Sequence, residues 1–238
     1  MKAITEQEKT KIKEKSTRNR FGANESVYRL AALGLLTAIT FIMGFTPIGY
    51  IPIGALKLTF MTIPVIIAAA MLGPTGGAVI GGMFGLTSFI QAFSGMSLLT
   101  GALFQLNPIL TFLLCVVPRV LEGWLGGLIF KALDKIDKTR FVSYVVTSLS
   151  VPVMNTLFFM SALYAEIKII VATNANAAGT LSGDLAKTFS GVADKAAGDV
   201  FLFFAALVGT QAIIEAVVCF VLGTAITKAL AVAVKKKK

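Results

Sequence analysis

The chain has 238 residues, of which 56% are hydrophobic and only 14% are charged, and it carries a formal net charge of +10. A soluble domain of this length has about a quarter of its residues charged, so lipid rather than water is expected to cover much of this protein. The basic residues lie between and outside the apolar runs, which argues against nucleic-acid binding. The absence of histidine removes the commonest general base and metal ligand, so we predict no metal site and no catalysis.

Six apolar runs are predicted to cross the bilayer as helices, because a span needs roughly 20 apolar residues. They cover about 27–45, 58–72, 78–93, a long run ending near 133, 141–164 and 201–222, the last extended in one reading to 234. We therefore predict an all-α membrane protein, a six-transmembrane-helix bundle, with a membrane domain at 27–234. A basic arm at 1–26 and a basic tail at 235–238 are expected to flank it in the cytoplasm.

The connections between these helices are predicted from their composition. The segment after the first helix (TPIGYIPIGALK) reads as a loop rich in proline and glycine, and GPTGG reads as a tight turn between helices two and three. Residues Gln105–Pro108 are expected to form a loop folded back into the protein, with Pro118 as a kink or a helix start. A mixed stretch at 165–198 is expected to be a loop with a short amphipathic helix.

The distribution of lysine and arginine predicts the orientation. Eight basic residues lie in the N-terminal arm through Arg29, four lie in the connection after the fourth span, and five lie at the C-terminal end. Basic residues concentrate on the cytoplasmic side of membrane proteins, and only an even number of spans keeps these clusters on one side. Both termini are therefore predicted to be cytoplasmic.

Two sets of small residues predict close helix contacts. Gly73, Gly77, Gly81 and Gly85 recur every four residues and share one helix face, which we assign to packing between helices two and three. In helix one, small residues form a second such face, which either packs inside the bundle or docks on a partner protein. Its members are Ala31, Gly34 and Ala38.

Three ionisable residues lie at membrane depth, where a charge is expensive and marks a functional site by default. Arg119 and Glu122 are three residues apart on one helix and are predicted to pair directly, with Glu215 completing a triad. This cluster is either a structural ion network or, with Lys57 at the outer rim, a site for the anionic group of a ligand.

Uncharged polar side chains add to the candidate site. Asn155 lies inside the fifth span, where it either bridges helices or faces a cavity. A few polar groups converging among apolar walls are typical of a small-molecule pocket. The substrate-binding residues predicted in this way are Tyr50, Lys57, Gln105, Asn107, Arg119, Glu122 and Asn155. The sequence has no Walker A motif and no protease or hydrolase motif, so it is not expected to bind ATP itself or to be an enzyme.

The sequence resembles the substrate-binding S components of energy-coupling factor (ECF) vitamin transporters over about residues 28–230, most closely the pantothenate type. The resemblance rests on PIGYIPIG after helix one, TIPVIIAAAMLGPTGGAVIGGMFGLTSFI across helices two and three, VPRVLEGWLGGLIFKAL in helix four, MNT in helix five and GTQAIIEAV in helix six. The combination of the glycine-rich segment with PRxLxG is fairly specific.

The resemblance implies a vitamin-binding subunit of an ATP-driven importer in a bacterial plasma membrane. Such a subunit captures its vitamin from outside, under a lid formed here by residues 46–54. It docks through helix one on a transmembrane coupling subunit, and two ATPase subunits bind the ATP. Riboflavin or another vitamin or precursor as the substrate, a small intramembrane enzyme, and a scaffold without a ligand are the alternatives.

Overall fold

The computed structural model describes residues 26–46, 49–53, 56–137, 139–173 and 211–235. The predicted N-terminal arm, most of the 165–198 stretch, the first ten residues of the predicted last span and the end of the basic tail lie outside these ranges. The described elements are α1 (Ser26–Gly44), β1 (Tyr50–Ile53), β2 (Leu56–Thr59), α2 (Thr62–Phe93), α3 (Leu98–Leu106), α4 (Pro108–Leu133), α5 (Phe141–Thr173) and α6 (Gln211–Lys235).

The long element α2 consists of two helices joined at Gly73, whose φ of 79° interrupts the helical backbone. Residues eight apart in a continuous helix are about 12 Å apart along its axis. Here, however, a Cβ on Gly76 would lie 3.3 Å from the carbonyl oxygen of Ala68, and one on Gly77 would lie 3.2 Å from the Cβ of Ala69. The chain therefore reverses at Gly73, as the GPTGG segment predicts, and residues 62–72 run antiparallel to residues 74–93.

With α2 counted as two helices, the described residues contain six helices besides the short α3, one of which, residues 62–72, has only eleven residues; this agrees with the predicted helical membrane bundle. Within the described ranges, α1, α2, α4 and α5 are long and apolar enough to cross a membrane. Residues 61–69 are buried without exception, so the first half of α2 is the centre of the bundle. By contrast, α1 lies at the edge, with little of its surface buried.

A two-stranded hairpin precedes α2, where the sequence predicted a loop and the start of the second span. Strands β1 and β2 pair in antiparallel register, with Tyr50 opposite Thr59 and Ile53 opposite Leu56. The backbone N–H of Phe60 donates to the carbonyl of Gly49 (3.0 Å) and extends the pairing by one more bond. We call this end of the bundle the hairpin end and the opposite end, which contains Gly73, the turn end.

The predicted loop at Gln105–Pro108 is wrong. Helix α3 continues to Leu106, and α4 begins directly at Pro108. Asn107 is the N-cap of α4, since its side-chain oxygen accepts from the backbone N–H groups of Ile109 (3.2 Å) and Leu110 (3.1 Å). Pro118 is inside α4 and does not start a new helix.

Helix α5 extends to Thr173, nine residues beyond its predicted end at Tyr164. Its last turns are anchored by a second hydrophobic cluster at the hairpin end, which includes Leu103, Leu114, Leu163 and Ile167. Because these buried residues recur every three or four positions along α5, the helix remains amphipathic up to that point.

The glycine ladder packs the second half of α2 against α4, which corrects the predicted pairing of helices two and three. A Cβ on Gly81 would overlap the carbonyl oxygen of Arg119, and one on Gly77 would overlap that of Gly123. A Cβ on Gly85 would lie 2.7 Å from the Cα of Val116. The two backbones are therefore in direct contact at three successive helical turns, with no room for a side chain between them.

Gly81→Ala is expected to destabilise the protein by about 1–3 kcal/mol, because the added methyl group meets backbone that cannot rotate away. Gly82→Ala is the matched control: its Cβ would meet only the Cγ2 of Val120, at an ordinary 3.4 Å. Thermal unfolding in detergent should show a lower midpoint for Gly81→Ala alone. Equal midpoints for the two variants would contradict this account of the α2–α4 contact.

Candidate functional site

The proline of α4 exposes a carbonyl that the neighbouring arginine then binds. Pro118 has no backbone N–H, so it cannot donate the helical hydrogen bond to the carbonyl of Leu114, four residues earlier. The Nη1 of Arg119 donates to this carbonyl instead (2.9 Å). The dipeptide Pro118–Arg119 therefore holds the guanidinium back along α4, towards the hairpin end.

Two aromatic rings complete the environment of the Arg119 guanidinium. Its central carbon lies 5.1 Å from the centre of the Phe84 ring of α2 and 4.3 Å from that of the Phe159 ring of α5. Both distances are within the range of a cation–π interaction. The Nε of Arg119 is buried without a hydrogen-bond partner, so this immobilised cation keeps one N–H free.

The predicted direct pairing of Arg119 with Glu122 is wrong. The described residues contain no ion pair between them, because the guanidinium is held by Leu114 and the two rings. Glu122 is fully buried, and neither of its carboxylate oxygens has a partner. Arg119 and Glu215 are nevertheless close enough to interact electrostatically with Glu122.

Glu215 connects three elements at the hairpin end of α6. Its carboxylate lies within reach of the backbone N–H of Thr59, at the end of β2, and of the side chain of Asn155. Asn155 on α5 therefore faces α6, and both of its predicted roles, a helix bridge and a cavity-facing residue, remain open. One turn further along α6, the Sγ of Cys219 lies 3.1 Å from the hydroxyl of Thr62. These contacts fix the start of α2 to α6.

Glu166 is a buried carboxylate that the sequence analysis missed. Its Oε1 accepts from the Thr111 hydroxyl of α4 (2.9 Å), whereas its Oε2 has no partner. Helix five was predicted to end at Tyr164 because a mixed stretch of small, polar and charged residues begins after it. The apolar period continuing through Ile167 and Ile170 was the signal that could have placed Glu166 on the buried face.

The remaining predicted site residues lie at the hairpin end. Asn107 uses its side chain to cap α4, which is a structural role. Gln105 is exposed near the end of α3. Tyr50 and Lys57 lie on the two paired strands, and their side chains are outside the described part of the structure.

The predicted docking face of α1 lies on the surface of the described bundle. Ala31, Gly34 and Ala38 are all exposed, and a Cβ on Gly34 would meet nothing within 4 Å. Of the two alternatives for this face, packing inside the described bundle does not occur. Instead, α1 is held near its C-terminal end, where the side-chain amide of Gln91 donates to the carbonyl of Gly44.

Comparison with known proteins gives two matches. A family model described as ECF transporter, substrate-specific component, matches residues 28–227. A pantothenate transporter, PanT, from Leuconostoc mesenteroides subsp. mesenteroides is 36% identical over 99 residues, which is 42% of this chain and 46% of that protein. The aligned part therefore spans less than half the length of this relative.

The Pro118–Arg119 arrangement predicts a coupled effect on stability. Arg119→Met alone leaves the buried Leu114 carbonyl unpaired and should cost about 1–3 kcal/mol. In a Pro118→Ala background, the new backbone N–H at position 118 satisfies that carbonyl, so the same change should cost at least about 1 kcal/mol less. Unfolding of the four proteins in detergent measures this coupling.

Pro152→Ala in α5 is the matched control for this cycle, because Pro152 is also inside a long helix but is not followed by an arginine. Combined with Arg119→Met, it should give additive effects within about 0.5 kcal/mol. If the effects in the Pro118 cycle are additive as well, the Arg119 side chain and the backbone N–H at position 118 do not compete for the Leu114 carbonyl.

Proposed function

The chain belongs to the family of substrate-specific components of ECF transporters, and we propose that its substrate is pantothenate. Membership follows from a match that covers most of the chain, and the protein is accordingly a membrane transport component and not an enzyme. It implies a small-molecule vitamin substrate and membrane-embedded partner modules. The substrate, the docking surface and the orientation in the membrane are the parts that we propose.

The observation that carries the proposal is the 36% identity to a pantothenate transporter, and the buried site supports it chemically. Pantothenate is a small carboxylate with an amide and two hydroxyl groups. An immobilised guanidinium with a free N–H can bind a carboxylate. The resulting charge-assisted hydrogen bond is stronger in the low dielectric of the protein interior than it is in water. Asn155 and the nearby carboxylates offer acceptor oxygens for hydroxyl and amide protons.

We propose further that pantothenate enters from outside at the hairpin end, with both termini in the cytoplasm of a bacterium. The positive-inside distribution supports this orientation. It places Arg29, at the start of α1, and the basic turn between α4 and α5 on the cytoplasmic side. The hairpin, whose end is bound by Glu215, then covers the extracellular face of the buried cluster.

The exposed small-residue face of α1 is the proposed docking surface for the transmembrane coupling subunit, which in turn carries two ATPase subunits. Small residues let helix backbones approach closely in a membrane, where packing rather than the hydrophobic effect drives association. In the described structure this face makes no contact within the chain that a partner would have to displace.

Purification of the protein from cells supplied with a vitamin mixture tests the substrate. Mass spectrometry of the bound small molecules should find pantothenate, and titration calorimetry should then give saturable binding of pantothenate to the protein alone. Riboflavin or another vitamin in place of pantothenate would contradict the substrate but not the family. If no vitamin binds saturably to the isolated protein, the proposal that this chain alone captures the transported substrate is wrong.

Gly34→Leu is expected to abolish assembly with the coupling subunit and to leave pantothenate affinity within twofold, because the leucine side chain blocks close approach at α1 alone. Co-purification with a tagged coupling subunit measures assembly. Ala225→Leu is the control, since Ala225 is also an exposed small residue but lies on α6. Normal assembly of Gly34→Leu would show that this face of α1 is not the docking surface.

A further inference from the structure

The buried cluster contains more hydrogen-bond acceptors than the protein supplies donors for. Four of its oxygen atoms are buried without a partner: both oxygens of Glu122, the Oε1 of Glu215 and the Oδ1 of Asn155. Their side chains are 0%, 6% and 7% exposed, respectively. Buried polar atoms in native proteins are bonded in roughly nine cases out of ten, so four orphan acceptors in one place indicate a missing set of donors.

These acceptors form one group between α4, α5 and α6. The side chain of Asn155 lies within reach of the carboxylate of Glu215, and the carboxylate of Glu122 lies within electrostatic range of that of Glu215. The described residues contain no group of three His, Cys, Asp or Glu side chains arranged to hold a metal ion. Donor groups of an organic ligand are therefore the better match for these oxygens.

Arg119, the buried cation of the cluster among the described residues, does not fill this need. Arg119 directs one nitrogen to the Leu114 carbonyl and stacks on Phe84 and Phe159, while its Nε remains unpaired. An unpaired donor and several unpaired acceptors thus lie in the same cluster without bonding to each other. The proline-directed hydrogen bond and the two rings keep them apart, because they hold the guanidinium towards the hairpin end.

We propose that the ligand binds between this donor and these acceptors in one fixed orientation, with its carboxylate on Arg119 and its hydroxyl and amide donors on Glu122, Asn155 and Glu215. The inference rests on the proposed function and adds to it the orientation of the substrate and the residues that bind each end of the substrate. The site then selects small carboxylates that carry several hydrogen-bond donors at the other end. A reversed ligand would place its carboxylate, which has no donor to offer, against the acceptor oxygens of Glu122, Asn155 and Glu215 and would leave the Nε of Arg119 unpaired, so it is disfavoured.

Three ligands separate the two ends of the site in calorimetric titrations of the full-length protein in detergent. Pantothenate has both ends, pantothenol replaces the carboxylate by an alcohol, and N-(3,3-dimethylbutanoyl)-β-alanine retains the carboxylate and the amide but has no hydroxyl groups. The wild-type protein should bind each of the two analogues about 10- to 100-fold more weakly than pantothenate, since each has lost charge-assisted hydrogen bonds.

Two variants then assign each end to its residues. Arg119→Gln should weaken pantothenate binding about 10- to 100-fold but leave pantothenol unchanged, so that the preference for the carboxylate disappears. Glu122→Gln should weaken pantothenate and pantothenol by the same factor and leave the hydroxyl-free analogue nearly unchanged. Thr147→Val, at a buried hydroxyl outside the cluster, is the control and should preserve all three affinities within twofold.

The outcomes distinguish this inference from the proposed function. If pantothenate binds tightly to the wild type but both variants retain the wild-type ratios among the three ligands, the orientation is wrong and the substrate stands. If the wild type binds none of the three, the proposed substrate itself fails. Should Arg119→Gln not fold, Arg119→Lys replaces it: a preserved charge without the planar fork should still weaken pantothenate selectively, and unchanged selectivity overturns the assignment.

Discussion

Direct backbone contact between the second half of α2 and α4 determines where the chemistry of this protein lies. Glycines at three successive turns of α2 bring the helices so close that Gly81 lies against the carbonyl of Arg119 itself. This contact fixes the rotation of α4 about its own axis, so that the side chain of Arg119 extends towards α5. Pro118 then sets the height of the guanidinium through the freed Leu114 carbonyl. Small residues and one proline thus position a buried charge that has no counter-ion in contact among the described residues.

Much of this arrangement could be predicted from the sequence, because its signals are periodic or rare. The lengths of the apolar runs predicted the helices, and the four-residue glycine period predicted a close helix contact. The rarity of charge at membrane depth indicated Arg119, Glu122 and Glu215 as candidate site residues. The partner of the glycine face was mistaken, since a small-residue face specifies close approach but not which helix approaches. The ion pair was mistaken because spacing on a helix allows contact without requiring it, and here a lone carbonyl competes for the same guanidinium.

Two features could not be read from local patterns. The hairpin strands are four residues each and contain or adjoin proline and glycine, which are turn residues in most contexts. Their pairing is stabilised by a residue that is distant in sequence, since the end of β2 contacts Glu215, more than 150 residues later in the chain. The second feature is the hydrogen bond between Glu166 and Thr111: the apolar period of α5 could place Glu166 on the buried face, but it could not identify a partner on another helix. In both cases a tertiary contact overrides what composition alone indicates.

The two halves of α2 differ in length, and this difference has a consequence for transport. Residues 74–93 make a helix of about 30 Å, enough to cross the hydrocarbon core, whereas residues 62–72 reach only about 16 Å from the same turn at Gly73. With the turn at Gly73 at one edge of the hydrocarbon core, the short helix begins near the midplane of the bilayer, and Glu215, close to Thr59, lies at that depth. A solute bound at the proposed site would therefore have crossed about half of the membrane. Under the proposed function, only its exit from the midplane would then require an energy-consuming partner.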